Sequence, residues 1–183
     1  IKIEILDLET KKALPDGELG EIVFRSSCLF SGYHKQPELS AKKISDGAYY
    51  SSDLGKIWNG ELYVLGRTDD LLIINGKNVF AHEVEDVLNL IDGVVPGRVI
   101  VYSEYHASFG TNKLNILVEV LENIDPEVLK KTIISKVLSQ TGIMIQKIDF
   151  VPKRFLIKST SGKLAREASL KKYAESQHSN CSF

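Results

Sequence analysis

The feature that most constrains the fold of this chain is a change in hydrophobic periodicity near residue 66. Upstream of it, apolar and polar residues alternate, beginning with Ile1, Ile3 and Ile5, and turn residues precede a second run at 21–25. A period of two is typical of strands with one buried face. Downstream, strand-sized apolar runs alternate with helical spacing, which indicates a sheet covered by helices. The sequence therefore predicts an α+β fold with a β-rich part followed by a small α/β domain.

Local signals in the first part predict a hairpin and a short helix. Asn59 and Gly60 separate the strand-like runs 48–58 and 61–65. Both positions of a two-residue hairpin turn favour positive φ, which these two residue types adopt readily. A proline opens the segment 37–43, where its φ angle suits the first turn of a helix.

Spacing and capping residues predict helices in the second part. Apolar residues at i, i+3, i+4 and i+7 indicate a helix over 82–91, with Gly93 at a C-cap position. Asp125 and Pro126 supply an N-cap and a first-turn proline for another helix, which Gly142 terminates. The remaining candidates are strands at 71–75, 98–103, 114–121 and 146–151 and a last helix at 164–174.

Composition excludes several classes of protein. Lys and Arg total 23 against 24 for Asp and Glu, a net charge of −1, so there is no overall attraction to nucleic acid or to anionic membrane. No apolar stretch approaches the roughly 20 residues of a membrane helix. Cys28 and Cys181 lie far apart, and no histidine has a partner at metal-ligand spacing, so neither a disulfide framework nor a metal site is predicted. We expect a cytoplasmic protein with no membrane span and no nucleic-acid partner.

Positive charge is concentrated in residues 153–172, which contain seven basic residues and a single acidic one, Glu167. Within this basic cluster, the segment 159–166 (STSGKLAR) places Lys163 in a hydroxyl-rich, glycine-containing loop just before a helix. It is not a phosphate-binding P-loop, because Ile157 stands where the first glycine would be and no hydroxyl residue follows the lysine. The cluster is either a ligand site for an anion or a solvated basic face.

A second candidate site lies earlier, in the segment 49–55 (YYSSDLG). Asp53 follows two hydroxyl residues there, and Arg67 comes next to a glycine farther along the chain. A carboxylate suits the vicinal hydroxyls of a ribose, and an arginine adds donors for sugar oxygens or phosphate. The residues alone leave two alternatives open: an aspartate that caps its own backbone in a turn, and a surface ion pair.

Taken in order, these motifs resemble the adenylate-forming superfamily, which includes acyl-CoA synthetases, fatty-acyl-AMP ligases, luciferases and the adenylation domains of peptide synthetases. The order and spacing of several motifs over roughly residues 3 to 174 carry the resemblance. The motifs are GELGEI at 17–22, Gly32 and Tyr33 with Pro37 and Glu38, YYSSDLG at 49–55, GRTDDLLIING at 66–76, Val84 with Glu85, and STSGKLAR at 159–166.

The resemblance implies the C-terminal portion of an ATP-dependent, AMP-forming carboxylate ligase that acts on a fatty or similar acyl acid. Residues 1–68 would be the β-barrel-like end of a large N-terminal domain, residues 69–175 a mobile C-terminal domain, and residues 176–183 a tail. The phosphate loop and acyl-binding helices of the family are missing from the chain, which begins with Ile1. We therefore expect a piece of a longer protein that is inactive by itself.

The resemblance also implies a role for individual residues. Lys163 would be the catalytic lysine, since an ammonium group between a carboxylate and the α-phosphate offsets the repulsion of two anions. Asp53 would hold the ribose hydroxyls and Arg67 would support the nucleotide. Asp69 would be the hinge between domains. Gly76 would lie at the face that meets the acceptor thiol, although a plain turn also explains this glycine.

The implied ligands are ATP or AMP, Mg²⁺ held with the missing N-terminal domain, a small carboxylic acid, and CoA or the phosphopantetheine arm of an acyl carrier protein as acceptor. Asn78 stands where many CoA synthetases have an arginine, which favours the fatty-acyl-AMP ligases. Ser52 and Ile157 replace a glycine and a proline of the family pattern. The alternative hypothesis is a non-catalytic module that binds an acidic carrier protein or another anion through the basic cluster.

Overall fold

The computed structural model describes the backbone of residues 1–180 and the side chains of residues 1–177. The chain forms two compact units, Ile1–Leu71 and Leu72–Phe183. Of the two cysteines singled out in the sequence, Cys28 is an exposed free thiol and Cys181 lies outside the described residues.

The first unit is built on a five-stranded antiparallel sheet in which β2 and β4 are the central pair. The helix α1 spans Pro37–Lys43, as predicted, with the proline in its first turn. The hairpin turn is also confirmed, with φ of 52° at Asn59 and 78° at Gly60. In chain order the strands are β1 Lys2–Leu6, β2 Gly20–Arg25, β3 Ile44–Ser45, β4 Ala48–Trp58 and β5 Glu61–Arg67.

The core of the first unit is small. Leu6, Val23 and Ala48 form its buried cluster, and Tyr50 packs against it. Of the three alternating isoleucines at the start of the chain only Ile5 is buried, because β1 lies at the edge of the sheet and Ile1 precedes it. The alternation therefore predicted the strand correctly but overstated how much of it is covered.

The second unit contains a three-stranded sheet and a separate two-stranded hairpin. In the larger sheet the middle strand, β9, pairs antiparallel with β8 and parallel with β10. The elements are β6 Leu71–Ile74, β7 Lys77–Phe80, α2 Ala81–Asn89, β8 Val94–His106, β9 Thr111–Val120, α3 Pro126–Thr141, β10 Ile145–Val151 and α4 Arg166–Asn180. A parallel pair needs a crossover connection, and α3 supplies it.

Both faces of this sheet are buried, as the pattern of strands and helices predicts. Val99 and Val101 of β8 face the cluster formed with α2 and α3. Ile100 and Tyr102, the alternate residues, face a second cluster that includes Tyr173 of α4. Consecutive side chains of a strand point to opposite faces of a sheet. Each face of this sheet therefore contributes to its own buried cluster, with α2 and α3 on one side and α4 on the other.

The helix α3 matches its predicted bounds because both of its ends are encoded locally. The Asp125 carboxylate accepts the backbone N–H of Glu127 at 2.9 Å and that of Val128 at 3.4 Å. Gly142 ends the helix in a left-handed conformation, with φ of 69°. These are the N-cap and C-cap expected of the residue types.

The other boundaries differ from prediction. The helix α2 ends at Asn89 instead of 91, because the N–H groups of Leu90 and Ile91 already turn back to carbonyls of the last turn. The helix α4 begins at Arg166 rather than 164 and continues to Asn180, beyond the predicted end at 174. The strand β7 was not predicted, since its four residues carry no period long enough to detect.

Candidate functional site

Asp53 lies in a bulge of β4. Glu21 of β2 pairs with Leu54, and Val23 pairs with Tyr50, so residues 51–53 of β4 stand opposite Ile22 alone. The middle residue of the bulge has a positive φ of 63°. A bulge of this kind bends a strand and redirects its side chains.

Hydrogen bonds from neighbouring side chains hold this bulge. The Ser51 hydroxyl donates to the Ile22 carbonyl at 2.7 Å and accepts the N–H of Asp53 at 2.9 Å. The Glu21 carboxylate accepts the N–H of Ser52 at 3.1 Å. No backbone N–H donates to the Asp53 carboxylate within the described residues, so the alternative of a self-capping aspartate is wrong.

Arg67 lies directly opposite Asp53 in the β4–β5 pair. The Arg67 Nε atom is 3.7 Å from Asp53 Oδ1, and its Nη2 atom is 3.8 Å from Asp69 Oδ2. The side chains of Asp53 and Arg67 are 45% and 56% exposed. An ion pair this long and this exposed contributes about 0 to 1 kcal/mol, so both groups stay available to a ligand.

Two tyrosines border this site. The Tyr33 and Tyr49 hydroxyls are 3.2 Å apart, and the ring of Phe30 packs edge-on against both. This hydrogen bond is the main cause that raises the pKa of Tyr49, and the negative charge of Asp53 raises it further. The Tyr49 hydroxyl is therefore a neutral donor or acceptor near Asp53. The sequence motif contained this residue, but spacing alone could not pair it with Tyr33.

Lys163 is exposed at the end of a tight turn in the second unit. The Gly162 N–H donates to the Ser159 carbonyl at 2.9 Å, and the Ser159 N–H donates to the Lys163 carbonyl at 2.8 Å. Gly162 has a φ of 81°, which a residue with a side chain adopts at a cost. The Lys163 ammonium has no ion pair or hydrogen bond among the described residues, and is free to meet an anion.

The base of this lysine loop is anchored by a clamp between Arg166 and Glu85. The Arg166 guanidinium donates to the two Glu85 oxygens at 2.7 and 3.2 Å and to the Val101 carbonyl at 2.9 Å. Glu85 in turn accepts the Val101 N–H at 2.9 Å. The buried Ser169 hydroxyl accepts the Ile157 N–H at 2.9 Å. Glu85 was singled out in the sequence without a role, and the structure makes it a partner of the loop.

The basic cluster at 153–172 does not act as one unpaired patch. Arg166 is paired with Glu85, and the Lys172 ammonium donates to the Phe155 carbonyl at 2.8 Å while lying 4.4 Å from the centre of the Phe155 ring. Lys163 is exposed at the end of the turn closed by Ser159 and Gly162, and Lys153 and Arg154 are exposed on a separate turn closed by the Phe155 N–H and the Pro152 carbonyl.

Two further predicted positions lie around the boundary between the units. Asp69 belongs to a single 3₁₀ turn, Thr68–Asp70, and its side chain is 76% exposed. Asn75 and Gly76 form the two-residue turn between β6 and β7, with φ of 50° and 76°. A Cβ atom added at Gly76 would meet no atom within 4 Å, so the turn by itself accounts for the glycine.

Within residues 1–177 no group of three or more His, Cys, Asp or Glu side chains is placed to hold a metal ion. The described residues therefore provide no donor set for the Mg²⁺ that ATP chemistry uses, and none of them is assigned to it. In the same part of the chain, every helix is too short or too polar to cross a membrane.

Comparison with known proteins decides the family. The model of the Disco-interacting protein 2-like, AMP domain family matches residues 69–182. This chain belongs to that family. The chain is 36% identical over 101 residues to a putative acyl-CoA ligase, YdaB of Bacillus subtilis, a match that covers 55% of this chain and 20% of YdaB.

Two longer matches cover nearly the whole of this chain. The long-chain-fatty-acid-AMP ligase FadD28 of Mycobacterium tuberculosis is 25% identical over 195 residues, 96% of this chain and 33% of FadD28. The structure of McyG A-PCP complexed with phenylalanyl-adenylate superposes with a TM-score of 0.81 at 26% identity, over 98% of this chain and 32% of that one. The chain thus spans about a third or less of these proteins. The resemblance to adenylate-forming enzymes is confirmed at the level of the superfamily and its mixed α/β fold.

Proposed function

We propose that this chain is the C-terminal portion of an ATP-dependent ligase that joins a carboxylic acid to the α-phosphate of ATP, releases pyrophosphate and then transfers the acyl group to a thiol. The observation that carries the proposal is the pairing of Asp53 with Arg67 across β4 and β5. Two side chains of complementary hydrogen-bonding capacity, on the two strands of one hairpin, meet at an exposed site and lack strong partners of their own.

In this proposal Asp53 accepts hydrogen bonds from the ribose hydroxyls, and Arg67 donates to the nucleotide. A carboxylate has two oxygens and about four lone-pair directions, so it accepts from two vicinal hydroxyls at once. Its 3.7 Å separation from Arg67 leaves that capacity largely unused. The guanidinium has five donors, of which the two long contacts to Asp53 and Asp69 use few.

Lys163 is the proposed catalytic residue. The reacting carboxylate and the α-phosphate repel each other, and an ammonium group placed between them stabilises the charge that develops at phosphorus. The exposed turn presents this ammonium without a competing carboxylate. The Arg166–Glu85 clamp at the base of the loop fixes the backbone that carries it. Removal of one preorganised donor of this kind costs roughly 10²- to 10³-fold in rate.

The change of partner between the two half-reactions requires movement, and we assign the hinge to Asp69. The chain divides into its two compact units next to this residue, which lies in a short, exposed turn. Hinges are typically a few connector residues that absorb changes in φ and ψ. In this scheme Gly76, in the turn after β6, lies on the face that receives the acceptor.

The proposed acid is a fatty or similar acyl chain, and the proposed acceptor is CoA or the phosphopantetheine arm of a carrier protein. The relatives that support the acid are named as fatty-acid-AMP and fatty-acid-CoA ligases, including the medium-chain enzyme of Escherichia coli. Asn78, where the resemblance would lead one to expect the arginine of many CoA synthetases, supports an AMP ligase.

The test is AMP binding and fatty-acid-dependent exchange of pyrophosphate into ATP by the full-length protein. Asp53→Ala should weaken AMP binding about 10- to 100-fold, since it removes hydrogen bonds to a charged group. Lys171→Ala, which removes an exposed cation of the basic cluster, is the matched control and should bind AMP like the wild type. Equal AMP binding by the wild type and Asp53→Ala would favour the non-catalytic anion-binding module instead.

A further inference from the structure

We propose that Ser51 and Glu21 are positioning residues: they hold the β4 bulge in the one conformation that aims the Asp53 carboxylate at the ribose of the nucleotide. The inference rests on the proposed role of Asp53 and deepens it. It assigns ribose recognition to a small buried network instead of to Asp53 alone.

The bulge has a backbone conformation that needs support. Ser52, its middle residue, has a φ of 63°, in the left-handed region that L-residues other than glycine adopt at a cost. Glycine would adopt this conformation without that cost, and the sequence nevertheless places a side chain here. The neighbouring contacts must therefore offset a conformation that the chain does not favour by itself.

The Ser51 hydroxyl replaces the part of the ladder that the bulge interrupts. Ile22 is the β2 residue opposite the bulge, and its carbonyl accepts the Ser51 hydroxyl in place of a regular cross-strand N–H. The Ser51 hydroxyl oxygen also accepts the Asp53 N–H, and Ser51 is only 8% exposed. Loss of this hydroxyl would remove a hydrogen bond from each of two backbone groups where water has little access.

Glu21 holds the next residue of the bulge. It is 5% exposed, and a buried carboxylate is tolerated only when it is paired. One oxygen accepts the Ser52 N–H, and the other accepts the Lys11 ammonium at 3.0 Å. The Lys43 ammonium, in turn, donates to the Ser52 hydroxyl. The bulge is thus held through its backbone and its side chain by groups that are distant in the chain.

This arrangement matters because Asp53 has little else to orient it. Its carboxylate is 45% exposed, and the contact described for it is the 3.7 Å ion pair with Arg67. The direction of the side chain is therefore set mainly by the backbone that carries it. If the bulge relaxes, the ion pair can persist while the carboxylate no longer reaches both ribose hydroxyls.

The experiment compares ATP with 2′-deoxy-ATP as substrates for adenylate formation by the full-length protein. We expect the wild type to prefer ATP and Ser51→Ala to lose about tenfold of that preference, chiefly through a higher KM for ATP, because misplacement of a binding group weakens oriented contacts. Ser51→Thr keeps the hydroxyl and should retain the preference. Glu21→Gln keeps an acceptor for the Ser52 N–H and should lose less of the preference than Glu21→Ala.

The preference is a ratio of two rates on the same enzyme, so a loss of folded protein alone leaves it unchanged. Asp53→Ala serves as the reference. If it abolishes the preference while Ser51→Ala matches the wild type, the positioning role is overturned and the proposed function stands. If Asp53→Ala keeps the full preference, the ribose role of Asp53 is wrong and the positioning role falls with it, whereas adenylate formation itself is judged separately by pyrophosphate exchange.

Discussion

Asp53, the proposed ribose-binding group, and Lys163, the proposed catalytic group, are presented in opposite ways. Asp53 lies within a paired strand, in a bulge held by a buried carboxylate and a buried hydroxyl. Lys163 lies at an exposed turn held by its own backbone hydrogen bonds, with the Arg166–Glu85 clamp at the base. A group that recognises two fixed hydroxyls needs a fixed direction, whereas an ammonium that meets an anion needs reach and freedom from other partners. If the proposed roles hold, the difference teaches that the backbone around a functional side chain is held as firmly as its task requires.

The largest expected effect comes from removing the exposed Lys163 ammonium. Lys163→Ala should slow adenylate formation by the full-length protein by about 100-fold or more, because it removes a donor that acts on charge in the transition state. Transfer to a thiol from a supplied acyl-adenylate should be spared, and so should the melting temperature, because the side chain is exposed. Equal losses in both half-reactions would contradict a lysine used in one step only.

The next effect concerns the base of the lysine loop. Arg166→Ala should lower the free energy of unfolding by about 2 kcal/mol, because it leaves the largely buried Glu85 carboxylate without its charged partner. Urea unfolding of the chain, monitored by circular dichroism, measures this loss. Lys171→Ala, an exposed change in the same helix, should stay within about 0.5 kcal/mol of the wild type. Similar stabilities for the two variants would show that the loop does not depend on the clamp.

The smallest expected effect on stability concerns Arg67, the ion-pair partner of Asp53. Arg67→Ala should change the free energy of unfolding by no more than about 1 kcal/mol, since its ion pairs are long and exposed. AMP binding should nevertheless weaken, and titration calorimetry of the full-length protein measures it. A large loss of stability with unchanged AMP binding would mean that the Asp53–Arg67 pair is structural.

Elements whose ends are encoded by neighbouring residues were predicted well from the sequence. The helix α1, the helix α3 with its Asp125 cap, and the hairpin turn at Asn59 all match. Boundaries that depend on packing were missed. The helix α4 extends beyond its predicted end, because an apolar period of a few residues says little about how far a helix continues once one face is buried.

The candidate site shows the same division. The sequence placed Asp53 in a strand and Lys163 in a loop, as the structure does, whereas Arg67 lies beyond the predicted end of its strand at residue 65. The Glu21 contact to Ser52 joins residues 31 apart, and the Arg166–Glu85 clamp joins residues 81 apart. No local spacing encodes such pairs, since they form only when strands align in register and helices pack on the sheet.

The order of motifs along the chain was enough to place this protein in the adenylate-forming superfamily, because those residue types recur at characteristic separations, and to single out the side chains that we propose for the chemistry. The tertiary structure alone decided which groups support them and in which direction they face. The physical reason is that hydrogen bonds to buried polar atoms are short-ranged in space and indifferent to distance in sequence, so their partners are determined by the register of the sheet and the packing of its helices.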